Sequence, residues 1–111
     1  MLKSQFQFAN NPMPEECSDL KIESEKVGDR FYRAMTNWVT SGARSHELNI
    51  KASRLARAYY KALNLLLLCL QKLKRTPKVE ASIEHAAEFQ GLLKQDIELL
   101  NARQTPLPPE P

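Results

Sequence analysis

Glycine is scarce in this chain, with three in 111 residues. That scarcity, the rarity of β-branched runs and the abundance of Ala, Leu, Glu, Lys and Arg argue against a sheet and for helices. Long hydrophobic runs are missing as well. The most apolar stretch, Leu65 to Leu70, or Ala62 to Leu70 with Asn64 included, falls far short of the roughly 18 to 20 apolar residues a membrane span requires. The opening MLKSQFQFANNPMPEE has no charged head, long apolar stretch or small-residue cleavage site of a secretory signal, so a cytoplasmic location is expected. Cysteine is limited to Cys17, on a polar Pro-flanked segment, and Cys69, inside an apolar helix. Such a pair reads as neither a disulfide framework nor a metal pair. Cys69, set among leucines, reads as a small buried hydrophobe.

Catalytic signatures are also lacking. The two histidines, His46 and His85, stand at metal-ligand spacing from no other His or Cys. There is no Gly-rich phosphate loop, no H-E-x-x-H, no Glu-x-x-His pair and no nucleophile elbow. No arginine precedes a histidine by the spacing that some helical-bundle ribonucleases use. An enzyme would have to draw on His85, Glu88 and Asp96, and His85, close to Phe89, Leu92 and Leu99 around its helix, reads as a partly buried structural histidine. The chain is therefore expected to be non-catalytic, with no cofactor, no metal and no small-molecule substrate.

What remains is a helical pattern and an uneven distribution of charge. Sixteen Lys+Arg against thirteen Asp+Glu give a net charge of +3, and 42% hydrophobic with 26% charged residues fits one soluble core rather than two. Prolines set the boundaries: Pro12 and Pro14 near one end, Pro77 in the middle, and Pro106, Pro108, Pro109 and Pro111 at the other. Residues 1–17 read as an N-terminal tail or short element, 18–103 as the helical domain and 104–111 as a Pro-rich tail.

The first helical pattern runs from about Asp19 to Thr40, where Leu20, Ser24, Val27, Phe31, Ala34 and Trp38 share one face. Ser18 is its expected N-cap, and Ser41-Gly42 its end. The second helix opens near Ser45 and extends to Arg75. Its seam of Leu48, Ala52, Leu55, Tyr59, Ala62, Leu66, Cys69 and Leu73 is flanked by a second row, Ala56, Tyr60, Leu63, Leu67 and Leu70. A face that wide needs two neighbouring helices to cover it. Thr76-Pro77 then supplies a cap and a first-turn proline, opening a third helix to about Ala102 with Val79, Ile83, Ala86, Leu93, Ile97 and Leu100 inward. Short connections make the expected fold all-α, an antiparallel bundle of three long helices, with a short extra N-terminal helix an open alternative.

Around the second helix, Arg54, Arg57, Lys61, Lys72 and Arg75 cluster opposite the apolar seam, with Lys51 at the margin. From Arg54 to Arg75 the strip spans about 32 Å of helix, and no acid occurs from Lys51 to Val79. An ordinary solvated face mixes signs to gain pairs four residues apart. A face of cations alone repels itself, and a bound polyanion relieves it. Arg supplies two of the first three positions, and its planar fork suits phosphate. Leu65 and Leu68 interrupt the strip, either as an exposed protein interface or as a seat for Phe6 or Phe8 of the N-terminal tail. The third helix carries the opposite sign, with Glu80, Glu84, Glu88 and Glu98 on one face and Lys94 at its edge. Tyr59 and Tyr60 have the chemistry for base stacking, but their angles favour core packing, as do those of Phe31 and Trp38. The tail from Arg103 to Pro109 fits a basic-x-x-Pro-x-x-Pro peptide, though an unstructured tail is the simpler reading.

Between Asp19 and Ala102, this architecture, the strip Lys51, Arg54, Arg57, Lys61, Lys72 and Arg75, and exposed Leu65 and Leu68 resemble the small helical subunits of CRISPR–Cas effector complexes, which have no sequence motif of their own. The resemblance implies a subunit stacked in more than one copy along a guide RNA. Its basic faces would support the RNA–DNA duplex or displaced strand by backbone contacts while base pairing reads the sequence. The partners so implied are RNA or DNA backbone and neighbouring protein subunits, copies of itself included, with no membrane. A helical protein–protein adaptor or chaperone, its apolar face completed by a partner, is the alternative.

Overall fold

A computed structural model describes residues 14–103, and every regular element in that range is helical. A single 3-10 turn, Glu15–Cys17, leads directly into α1 (Ser18–Thr40), followed by α2 (His46–Gln71) and α3 (Pro77–Arg103). The N-terminal tail before Pro14, with Phe6 and Phe8, and the Pro-rich tail from residue 104 lie outside the described residues. None of the described helices is long and apolar enough to cross a membrane.

The helix ends follow local chemistry. Ser45 caps α2 by accepting a hydrogen bond from the Leu48 amide at 3.2 Å, and Thr76 caps α3 by accepting one from the Val79 amide at 3.2 Å. At the start of α1 the expectation shifts by one residue. Ser18 is already helical, and Cys17 occupies the cap position without a side-chain cap bond. Beyond α1 the backbone turns left-handed at both Gly42 (φ 88°) and Ala43 (φ 58°). The Ala43 amide donates back to the Trp38 carbonyl at 3.0 Å, a bond closing the helix end. The second helix stops at Gln71, short of Arg75, and residues 72–76 make the connection.

Helix α2 packs against both α1 and α3, as the width of its apolar face requires. Its deepest residues are Ala52, Ala56, Tyr59, Leu63, Leu66 and Leu70. Leu48, Leu55, Cys69 and Leu73 pack half-buried beside them. Phe31, Ala34, Met35 and Trp38 come from α1, and Val79, Ala86, Phe89, Leu93 and Leu100 from α3. Burying each large apolar side chain contributes about 1.5–3 kcal/mol, so this layer supplies most of the drive to fold.

Three features correct the sequence-based expectations. Cys17 and Cys69 form a disulfide, with Cα atoms 6.1 Å apart, inside the range such a bridge spans. The turn at Pro14–Cys17, closed by the Cys17 amide donating to the Pro14 carbonyl, folds the polar segment onto the end of α2. Cys69 is thus half of a cross-link rather than a free buried thiol. His85 is exposed, not partly buried, its ring 6.2 Å from that of Phe89, which takes the buried position instead. Tyr60 is 38% exposed, while its neighbour Tyr59 is fully buried.

Two close approaches fix how the helices meet. A Cβ on Gly28 would lie 2.8 Å from the Tyr59 ring, so α1 has no side chain at the point where that ring rests. Burial, and secondarily the charge of Glu25, hold the Tyr59 phenol protonated well above its usual range. At the other interface, buried Asn49 at the start of α2 donates to the Leu100 carbonyl at 3.0 Å, near the end of α3, and accepts from the Ser53 hydroxyl at 3.2 Å. The last four carbonyls of a helix have no partner within it. Asn49 provides one from the neighbouring helix.

Candidate nucleic-acid interface

The strip on α2 is built by helical geometry. Burial of Ala52, Ala56, Tyr59, Leu63 and Leu70 points one side of the helix inward, and successive residues advance by about 100°. The opposite side is therefore presented to solvent, and Lys51, Arg54, Arg57 and Lys61 are all exposed there. Lys72 and Arg75, also exposed, now belong to the connection after α2 rather than to the helix itself. The strip is thus a helical run of four cations, then the leucines, then two cations on a turn. None of the six makes an ion pair with a described residue.

Leu65 and Leu68 sit within this face at 46% and 47% exposure, uncovered by any described element. Carboxylates are gathered elsewhere: Glu80, Glu84, Glu88 and Glu98 are all exposed on α3. The basic strip of α2 and this acidic set of α3 thus lie on different helices, while α1 carries both signs and pairs Lys21 with Glu25 at 3.6 Å.

Two grooves border the basic face. The first, about 560 Å³, is lined by His46, Glu47, Ile50, Lys51, Arg54 and Leu55 along the opening turns of α2. Glu47 places one acid at the mouth of the strip. The second, about 260 Å³, lies where α2 meets α3 and is lined by Arg57, Tyr60, Lys94 and Ile97. Tyr60 and Lys94 were not among the strip residues expected from sequence. The periodicity placed Tyr60 on the flank of the core and Lys94 at the rim of an acidic face, and only the seating of α3 on α2 brings them together.

His85, Glu88 and Asp96 do not converge. His85 and Asp96 are eleven positions apart on one continuous helix, or about 16 Å of axial rise. Asp96 is half-buried, and burial raises its pKa above the usual carboxylate range. Among the described residues no group of three His, Cys, Asp or Glu side chains is placed to hold a metal ion.

No protein-family model matches the chain, and no curated protein or solved structure matches it either.

Proposed function

We infer that the chain binds the phosphate backbone of RNA or DNA through the outer face of α2, as a non-catalytic subunit of a larger ribonucleoprotein. The observation that carries this reading is the exposed set Lys51, Arg54, Arg57, Lys61, Lys72 and Arg75, none of them ion-paired to a described residue. Cations kept together without counter-charges lower the stability of the free chain and gain when phosphates replace the missing acids. Arg and Lys on a smooth helix face make backbone contacts. Base-edge readout relies most on Asn, Gln or bidentate Arg presented to base edges, and side-chain amides are sparse on the strip, with Asn64 and Gln71 the two between Lys51 and Arg75. In the antiparallel arrangement we adopt for the three helices, α2 is the central one and its outer face runs the length of the domain. Likeness to the small subunits of CRISPR–Cas effectors rests on this shape and charge.

The test is fluorescence anisotropy of single-stranded RNA, single-stranded DNA and duplexes across a salt series, comparing the wild type with Arg54→Glu/Arg57→Glu/Lys61→Glu. The expected result is affinity falling linearly with log salt for the wild type, with a slope of several released ions, and loss of binding in a triple variant that stays helical. No detectable binding at low salt would sink the reading.

A second reading, a protein–protein adaptor, is favoured by one observation, the exposure of Leu65 and Leu68 on the same face. Its distinguishing property is an oligomeric state or partner affinity that changes with Leu65→Ser/Leu68→Ser and not with salt.

A further inference from the structure

We propose that the groove between α2 and α3, framed by Arg57, Tyr60, Lys94 and Ile97, is a stacking site for one unpaired base of a single-stranded nucleic acid, with the flanking phosphates held by Arg57 and Lys94. This rests on the backbone-binding reading above and adds a preference for single strands.

Three features of the groove support it. The first is the split between neighbouring tyrosines. Tyr59 enters the core completely, while Tyr60 keeps 38% of its surface in solvent. A large aromatic that lines the groove together with Ile97 offers surface that the core does not use. The second is charge. The lining contains two cations and no carboxylate, and Arg57 belongs at once to the groove and to the basic strip. A strand following Arg54, Arg57 and Lys61 along α2 passes the mouth of the groove. The third is a contact across the rim. The Gln90 side-chain amide reaches from α3 to donate to the Tyr60 carbonyl at 3.4 Å, a long bond that sets α3 alongside α2 next to this residue.

The occupant follows from these chemistries. Phosphate alone would satisfy Arg57 and Lys94 but leave the Tyr60 and Ile97 surface wet. An apolar ligand would cover that surface and strand two cations. A nucleotide in a strand meets both requirements, because every base has a π-face and every linkage an anion. A base within a duplex has both faces stacked already and cannot offer one to Tyr60.

The experiment compares the full chain binding a 16-nucleotide oligo(dT), an abasic oligomer of the same length and a duplex, by anisotropy at fixed low salt. Proteins tested are the wild type, Tyr60→Leu, Tyr60→Phe and Lys94→Gln, each checked for helicity by circular dichroism. Stacking of one base is expected to make oligo(dT) bind about tenfold tighter than the abasic strand. Tyr60→Phe retains that ratio and Tyr60→Leu abolishes it without changing abasic affinity. Lys94→Gln weakens both strands and lowers the salt slope by about one. Equal wild-type affinity for the two strands, or a ratio that survives Tyr60→Leu, overturns the stacking site while leaving the backbone reading in place. Absence of binding to all three oligomers overturns the backbone reading, and the stacking site with it.

Discussion

At the scale of single residues, the structure turns two unremarkable positions into structural requirements. Gly28 is one of only three glycines, and on α1 the general preference would be for Ala, better by about 1 kcal/mol. Here the Cβ would press on the ring of Tyr59 at 2.8 Å, and a fully buried ring has nowhere to move. Overpacking of this kind costs about 1–3 kcal/mol. Gly28→Ala is therefore expected to lower stability by about 1 kcal/mol net despite its better propensity, measured as a leftward shift of the urea midpoint. An unchanged or higher midpoint would mean that the two helices move apart freely at this crossing. Asn49 is the second such position. It is buried, and it joins the start of α2 to the Leu100 carbonyl. Asn49→Ala leaves that carbonyl and the Ser53 hydroxyl without these partners, a loss of about 1–3 kcal/mol. Faster hydrogen exchange at the C-terminal turns of α3, beyond that in the rest of the chain, is the signature of a lost inter-helix cap rather than of general loosening. Neither position was legible from periodicity, because a glycine's use depends on what faces it and a polar residue at a seam position announces no partner.

At the scale of elements, far more could be read in advance. Thr76 is a recognisable cap and makes the expected bond, and Ser45, near which the second helix is expected to open, caps it. The breadth of the apolar face of α2 correctly required two neighbours. Its centre was misplaced, however. Leu48, Leu55, Cys69 and Leu73 are only half-buried, whereas Ala56, Leu63, Leu67 and Leu70 lie deeper. With α1 on one side and α3 on the other, the direction of deepest burial falls between the two rows instead of along the first. The charged face opposite makes its own prediction. Arg57 stands three residues after Arg54 and four before Lys61, and like charges at those spacings oppose the helix by about 0.2–0.5 kcal/mol per pair. Arg57→Gln removes both pairs and is expected to raise the melting temperature by about 2–4 °C at low ionic strength, with the gain vanishing in 0.5 M salt. The same substitution is expected to weaken binding to single-stranded DNA, so one change moves stability and affinity in opposite directions. A melting temperature that is unchanged at low salt would show that the cations are too far apart or too well solvated to repel one another.

At the scale of the whole molecule, the feature that sequence reasoning missed is the covalent tie. Cys17 and Cys69 are far apart in sequence and lie in segments of opposite character, and on composition alone they do not belong together. The clue was positional: both stand equally far from Ala43, the middle of the loop joining α1 to α2, so a hairpin folded at that loop brings them level. The expectation of a cytoplasmic chain took no account of the bond, which persists where thiols are oxidised and is lost where glutathione and thioredoxin keep them reduced. Its energetic consequence can be stated. The two cysteines are 52 positions apart, and tying off a loop of that length restricts the unfolded chain by about 4 kcal/mol in the chain-entropy account, a large share of the total stability of a small domain. Reduction is therefore expected to lower the melting temperature by on the order of 15 °C. Cys17→Ser/Cys69→Ser should reproduce the lower value and be indifferent to reductant. Circular dichroism melts of both proteins with and without a phosphine reductant decide the matter. Coincident wild-type melts under the two conditions would mean either that the thiols are not joined in solution or that the bridge leaves the unfolded ensemble unchanged, and a thiol count on the denatured protein separates those cases. The remaining contacts of α1 with α2, Phe31 beside Tyr59 at 6.2 Å between ring centres and Trp38 nearly inaccessible to solvent, do not depend on the bridge. Helical content is thus expected to survive reduction at low temperature, with exchange protection falling first in the opening turns of α1, where the bond holds the turn at Pro14–Cys17 against the end of α2.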